Sequence, residues 1–201
     1  MVSGGREIDE KVISAMERVG YAFRVLQWDA SKRARITPLQ LQLLGRLLTL
    51  PEERRTVSQL AADLTLTKAT VSDAVRALTR KGLVSKQRSV HDGRISSLEL
   101  TDSGQAQAAE LSGWKEVARE QLAAFADETK EDVFVFLAQF IAGLRGEGVL
   151  SSSRMCLSCS HFRTDSGADC ASGFCSLTEK AVCGKDIQVD CNTHVPRAEI
   201  A

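Results

Sequence analysis

No cysteine occurs before position 156, yet six follow: Cys156, Cys159, Cys170, Cys175, Cys183 and Cys191. A chain of 201 residues with 43% hydrophobic content can bury one good core, or a core plus a small satellite. The cysteines therefore mark a thiol-free main body and a short tail with separate chemistry. In a secreted chain an even count suggests disulfides, whereas a reducing cytosol favours thiolate ligation of a metal or cluster. The first thirty residues carry Arg6, Glu7, Asp9, Glu10 and Lys11 among their apolar positions, so no secretory apolar region is expected. No run approaches the roughly 18 apolar residues of a membrane span. The expected setting is the cytoplasm, with no membrane partner.

The formal net charge of zero hides an uneven distribution. Residues 65–94 hold Lys68, Arg76, Arg80, Lys81, Lys86, Arg88 and Arg94 against only Asp73 and Asp92, while residues 101–150 hold nine acidic side chains against four basic. Apolar residues at Ile8, Val12, Ala15, Met16, Val19, Ala22, Phe23 and Leu26 predict an amphipathic helix from Ile8 to about Ala30. Thr37 as N-cap with Pro38 at the first helical position starts a second helix through Leu47. Thr56 starts a third, and Gln59 three residues on completes a capping-box pattern.

Thr67 can cap a fourth helix, in which Val71, Ala74, Val75 and Leu78 form the apolar stripe and Ala69, Ser72, Asp73 and Arg76 the opposite face. Gly82 is placed for a left-handed C-terminal cap. Two short helices joined by a tight turn, the second presenting small polar and basic residues, make a helix-turn-helix. An ordinary helical hairpin would share those features. The strand-like runs Leu83–Gln87 and Ile95–Leu100 around a polar, basic tip argue for the former, because a basic hairpin directly after such a helix is a wing. Thr101 then caps a helical region over 102–127, and a last apolar helix runs from about Lys130 to Arg145. Its Phe134, Leu137, Phe140, Ile141 and Leu144 are more apolar bulk than one exposed helix leaves in water, so a second subunit is expected to cover it.

The run Leu83-Val84-Ser85-Lys86-Gln87, then Asp92-Gly93-Arg94, then Leu98-Glu99-Leu100-Thr101-Asp102-Ser103-Gly104 resembles the wing and following helix start of MarR-type regulators. Leu60-Ala61, Thr67, Thr70-Val71-Ser72, Val75, Leu78 and Gly82-Leu83 match their helix-turn-helix in the same order. The resemblance spans about residues 8–146. It implies a homodimer whose first and last helices interlock and whose winged domains read a pseudo-palindromic operator in double-stranded DNA. Lys68, Thr70, Ser72 and Arg76 would then enter the major groove, where an arginine can pair bidentately with guanine. Arg94 resembles the family's minor-groove arginine, oriented by Asp92, and Arg88 would touch phosphate.

The tail reads Cys156-x2-Cys159-x15-Cys175-x15-Cys191, a ligand set of one CxxC pair and two isolated cysteines. Zinc accepts four thiolates, although its structural sites more often show two paired knuckles, and iron–sulfur clusters take four thiolates from irregular loops. Cys156-Leu-Ser-Cys159-Ser-His-Phe162, Gly173-Phe-Cys175-Ser-Leu177, Lys180 and Cys191 to Pro196 resemble the cluster-binding half of high-potential iron–sulfur proteins. That resemblance covers about forty residues and implies a 4Fe-4S cluster. Asp190 stands where an aromatic residue usually precedes the last cysteine, aromatics are few, and Cys170 and Cys183 are extra. These departures suit an exposed, labile cluster that senses redox or iron status. Zinc remains the alternative cofactor, and His161 and His194 are further candidate ligands.

No histidine falls in a nucleophile or phosphate-loop motif, and no βαβ pattern surrounds the CxxC pair, so no enzyme is expected. A competing reading is a MarR-type repressor released by a small aromatic effector, with Tyr21, Phe23, Trp28 and Trp114 near the pocket and a purely structural zinc in the tail. The expected fold class is mainly α with a small β-wing. It divides into a dimerisation helix (1–36), a winged helix-turn-helix (37–101), C-terminal dimerisation helices (102–148) and a cysteine-rich loop module (149–201).

Overall fold

The computed structural model describes residues 3–88, 96–150, 154–164 and 173–197. Seven α-helices lie in these stretches: α1 (Ser3–Arg33), α2 (Pro38–Thr49), α3 (Val57–Asp63), α4 (Lys68–Arg80), α5 (Asp102–Leu111), α6 (Glu116–Leu122) and α7 (Asp127–Gly146). Strands β1 (Val84–Arg88) and β2 (Ser96–Leu100) pair antiparallel, with Val84 opposite Leu100 and Arg88 opposite Ser96. A second sheet joins β3 (Phe162–Thr164), β4 (Gly173–Cys175) and β5 (Lys180–Val182) in that order, all antiparallel. The mainly helical class with a small wing holds. The chain divides into two compact units, Met1–Thr49 with Asp73–Val117, and Leu50–Ser72 with Ala118–Ala201.

In the first unit α2 packs against α1, α5 and β2. Leu43, Leu44 and Leu47 are fully buried, as are Val75, Leu78 and Leu98. Arg35 ends α1 with φ +53°, and the Ile36 N–H donates to the Ser31 carbonyl at 3.0 Å. The α2 start is tighter than expected: Thr37 accepts from the Gln40 N–H and Gln40 from the Thr37 N–H, each at 3.2 Å, a reciprocal capping box. At the end of α4, Gly82 has φ +71°, and the bonds Gly82 N–H to Thr79 and Leu83 N–H to Leu78 make a Schellman motif.

The wing is tied to α5 by the stretch the sequence singled out. Thr101 donates to the Gly82 carbonyl at 2.6 Å and accepts from the Gly104 N–H at 3.0 Å. A Cβ on Gly104 would lie 1.9 Å from the Leu83 carbonyl oxygen, so only glycine lets α5 approach this closely.

Three expectations need correction. The helical region over 102–127 breaks at a 3₁₀ turn, Ser112–Lys115, where Ser112 bonds the Ala109 carbonyl at 2.7 Å and Gly113 adds backbone freedom. Gln59 does not reach back to Thr56; its amide donates to Asp63 Oδ1 at 2.8 Å, while Thr56 still caps α3 by accepting the Gln59 N–H. The last helix, expected from Lys130 as one dimer-facing stripe, starts at Asp127 and serves two purposes. Ala138 is fully buried with Met155, Cys159, Phe162, Val182 and Ile187, and Phe134, Ile141 and Ala142 pack against that cluster. Val133, Phe136, Leu137 and Phe140 stay exposed on the other side, with the Phe136 and Phe140 rings stacked at 6.2 Å. The two stripes follow from helical spacing, since 134, 138 and 141 share one face and 133, 136, 137 and 140 another.

The tail, expected as loops, contains β3–β5, two short 3₁₀ turns and the cluster just described. Gly184 sits so close to α7 that a Cβ would meet Val135 Cγ2 at 2.7 Å.

Candidate DNA-reading face and cysteine module

Thr67 sets the start of α4: its hydroxyl accepts the Thr70 N–H at 3.1 Å and lies 2.9 Å from the Thr70 hydroxyl. Before it, Thr65 turns the chain with φ +54°, a conformation costly for a β-branched residue. Lys68, Thr70 and Arg76 are exposed and Ser72 is half-buried, while Val71, Val75 and Leu78 are fully buried. The four predicted groove residues thus occupy a face that the core does not use. Arg76 Nη1 donates to Asp73 Oδ1 at 2.9 Å, an exposed pair that water and salt screen. Lys81 belongs to the body instead, with its ammonium 2.5 Å from the Arg35 carbonyl and 3.3 Å from Gln40 Oε1. Asp92, Arg94 and the side chain of Arg88 lie outside the described residues.

The cysteine module is assembled largely by backbone hydrogen bonds that cross it. The Cys156 N–H donates to the Gln188 carbonyl at 3.0 Å, and the Gln188 N–H returns to Cys156 Sγ at 3.3 Å. The Cys191 N–H donates to the Arg154 carbonyl at 2.7 Å, and the Ser160 N–H to that of Val195 at 2.8 Å. Arg197 ties the segment after Cys191 back to the CxxC turn: its Nε donates to the Cys159 carbonyl at 3.0 Å and its Nη2 to that of Phe162.

Cys156, Cys159, Cys175 and Cys191 are free thiols, and Cys156 stands near enough to each of the other three to feel its charge. Burial pushes the Cys156 thiol up; the Gln188 N–H pulls it back, and Cys191, Cys175 and Cys159 add to the rise. Cys175 is drawn the other way, held below the usual thiol range by the Thr178 hydroxyl and N–H, with burial opposing and the Leu177 N–H assisting. Among the described residues no three His, Cys, Asp or Glu side chains stand as a closed metal-ligand group. In donor chemistry the thiols nevertheless fit thiolate ligation, because the N–H groups aimed at Cys156 and Cys175 sulfur stabilise the anion a metal or cluster requires.

The other candidate ligands have definite places. Cys183 caps a 3₁₀ turn, Gly184–Asp186, in a reciprocal box with Asp186. His194 Nε2 lies 3.0 Å from Ser158 Oγ, and burial, against the pull of Ser158, keeps its pKa low with help from Arg145, Arg54 and Arg154. His161 is within 3.5 Å of the Ser176 hydroxyl through Nδ1. Cys170 lies outside the described residues.

Sequence reasoning missed the arginines around this module. Arg54, in the 3₁₀ turn Glu52–Arg54 that leads into α3, donates to the Asn192 carbonyl at 3.3 Å. Burial and Arg154 lower its pKa, and Asp63 and Cys191 raise it. Arg154 is buried, with Nη2 3.5 Å from Asp63 Oδ2 and 3.5 Å from Asp190 Oδ1. No periodicity or motif marks an isolated arginine just ahead of a CxxC pair.

A third feature is a cleft of about 530 Å³ in the first unit, lined by Arg33, Arg35, Gln107, Glu110 and Trp114 among others. Of the aromatic residues expected near an effector pocket, Trp114 lines it and Phe23 packs edge-on against Trp114 at 5.9 Å. Tyr21, Phe23 and Trp28 are all exposed.

Residues 36–95 match the MarR family model. Among solved structures, the chain is similar to Staphylococcus aureus MepR in a DNA complex, with 23% identity and a TM-score of 0.57 over 65% of this chain and 96% of that one. It is similar to the same protein in its DNA-binding conformation at 22% identity and a TM-score of 0.59, covering 66% and 98% of the two chains. A MarR protein from Peptoclostridium difficile gives 21% identity and a TM-score of 0.59, over 68% and 88%. No curated protein sequence matches the chain. These likenesses establish the fold of the winged-helix part. No helix among the described residues is long and apolar enough to cross a membrane.

Proposed function

We propose that this chain, whose residues 36–95 match the MarR family model, is a homodimeric, sequence-specific DNA-binding transcription regulator controlled by a cluster in its cysteine module. Proteins of the matched family regulate transcription and are not enzymes, and no residue here is assigned a catalytic role. The observation that carries the reading is a pairing within one compact unit. The exposed start of α4, Lys68–Ser72, and the four thiols Cys156, Cys159, Cys175 and Cys191 belong to the same compact unit.

DNA recognition is assigned to Lys68, Thr70, Ser72 and Arg76 on α4, with Arg88, Asp92 and Arg94 supplied by the wing. The hydroxyls and Lys68, near the positive end of the helix, suit phosphate and base edges, and Arg76 suits guanine once Asp73 releases it. Dimerisation is assigned to the apolar surface left uncovered on α1 and α7, where Trp28 is 60% and Phe136 47% exposed.

Cys156, Cys159, Cys175 and Cys191 would hold an iron–sulfur cluster of the 4Fe-4S type. When bound, the cluster supplies one-electron redox chemistry and sensitivity to oxidants or iron supply. The chain's own contribution is to aim the Gln188, Leu177 and Thr178 N–H groups at sulfur, and to set Arg54 beside Cys191. The test is iron and sulfide analysis of anaerobically purified full-length protein with its visible absorption spectrum. Iron and inorganic sulfide in cluster stoichiometry, with absorption that bleaches in air, support the reading. Colourless protein holding one zinc per chain rejects it in favour of a structural staple.

A second reading rests on the cleft beside Trp114. Two arginines and an indole suit a small aromatic anion, and a MarR-type repressor released by such an effector would need no redox chemistry. Salicylate or benzoate that lowers duplex affinity in protein lacking all six cysteines would favour it.

A further inference from the structure

Arg154 is the point at which the cysteine module meets the helix-turn-helix. Its side chain is 6% exposed, and the Asp63 side chain it faces is 2% exposed. Asp63 is the last residue of α3, and the chain then makes the turn into α4: the Thr65 N–H bonds the Ala62 carbonyl, the Leu66 N–H that of Ala61, and Thr67 caps α4. On the other side, the Asp190–Cys191 dipeptide grips Arg154 at both ends. The Asp190 carboxylate faces its guanidinium at 3.5 Å, and the Cys191 N–H bonds its carbonyl at 2.7 Å. Arg54 repeats the connection from the opposite end of α3, through its bond to the Asn192 carbonyl.

We infer that the buried Asp63–Arg154 ion pair transmits the state of the cysteine module to the recognition helix of the same chain, with Cys191 as the input and the α3–α4 turn as the output. This rests on the reading that the cysteines hold a cofactor. A ligand bond at Cys191 fixes the 190–192 segment, and that segment fixes Arg154. Its release removes from Arg154 both a counter-charge and a backbone anchor. A buried pair that loses a supporting partner is strongly destabilised, because its charges have no water to turn to. The adjustment falls on the end of α3 and on the orientation of α4. Coupling by this route is direct. It does not require the two subunits to change their separation, as a signal passing only through α7 and the dimer base would.

The test uses the full-length protein, purified anaerobically, in four forms: wild type, Cys191→Ser, Asp63→Asn and the double variant. The readouts are amide hydrogen exchange over residues 57–80 and affinity for a duplex that the wild type selects from a random library. Cys191→Ser is expected to speed exchange over 57–80 about tenfold and to shift duplex affinity about tenfold, and to do less than twofold of either in the Asp63→Asn background. Equal effects in both backgrounds, or exchange at 57–80 that ignores Cys191→Ser, overturn the inference. If Asp63→Asn does not fold, Asp63→Leu with Arg154→Met replaces the pair by apolar side chains and the same comparison is made in that background. Iron analysis of the same wild-type samples separates the two claims. Iron-free protein with coupled exchange overturns the cofactor and supports the ion-pair route, whereas iron-loaded protein with uncoupled exchange does the reverse.

Discussion

The α2 region and the cysteine module are held together by different physics. Around α2, Leu43, Leu44 and Leu47 are fully buried, and a reciprocal cap closes the helix start. The described residues of 154–197 contribute only Met155, Cys159, Phe162, Val182 and Ile187 as buried apolar side chains, lean on α7, and rely on backbone bonds and arginines for shape. The difference teaches where added stability is required. A segment of that size cannot hold itself by burial, and small modules of this kind are stapled by metals or crosslinks. The leucine-built unit needs no staple.

The largest expected effect separates the two regions. Replacing Cys156 and Cys191 together by serine should abolish protection of the 154–197 amides while leaving the α2 amides protected, measured by hydrogen exchange. Uniform loss across both regions would break the comparison. Within the leucine-built unit, Leu44→Ala should cost about 2–5 kcal/mol by leaving a cavity. Gly104→Ala should cost about 1–3 kcal/mol, because the new Cβ meets backbone that cannot move aside. Both are read from denaturant midpoints, and an unchanged midpoint for Gly104→Ala would contradict the close approach of α5 to Leu83.

Effects on the exposed surfaces are smaller in stability and specific in function. Phe140→Asp should convert a dimer to a monomer in sedimentation while leaving the module packed, since Phe140 lies on the uncovered side of α7 and Ala138 on the covered side. A folded dimer would show that α7 is not the interface. Arg76→Ala should lose about 1–3 kcal/mol of discrimination between the selected duplex and one altered at a guanine, with little change in thermal midpoint. Equal loss on both duplexes would reduce Arg76 to a phosphate contact.

What the sequence disclosed was local. The caps at Thr37, Thr56, Thr67 and Thr101 and the left-handed Gly82 depend on neighbours three or four residues away, and the winged-helix order follows from them. The division of α7 was hidden because periodicity shows that a face is apolar and does not show what covers it. The break at Ser112–Lys115 was hidden because the helical spacing resumes after it. The cysteine spacing marks a ligand set in the sequence, whereas Arg54, Arg154 and Asp63 act through contacts between segments far apart in the chain and leave no pattern in it. The cap made by Cys183 is likewise a matter of three-dimensional placement.

If the cysteine module governs DNA binding, affinity must differ between two states of one preparation. Full-length protein purified without oxygen is assayed against its selected duplex at fixed salt, then again after air exposure and removal of iron. The expected result is about a tenfold or greater change in Kd that reverses when iron and sulfide are restored under reducing conditions, and that disappears in Cys156→Ser with Cys191→Ser. The same Kd in both states, with iron demonstrably present in the first and absent from the second, would contradict it.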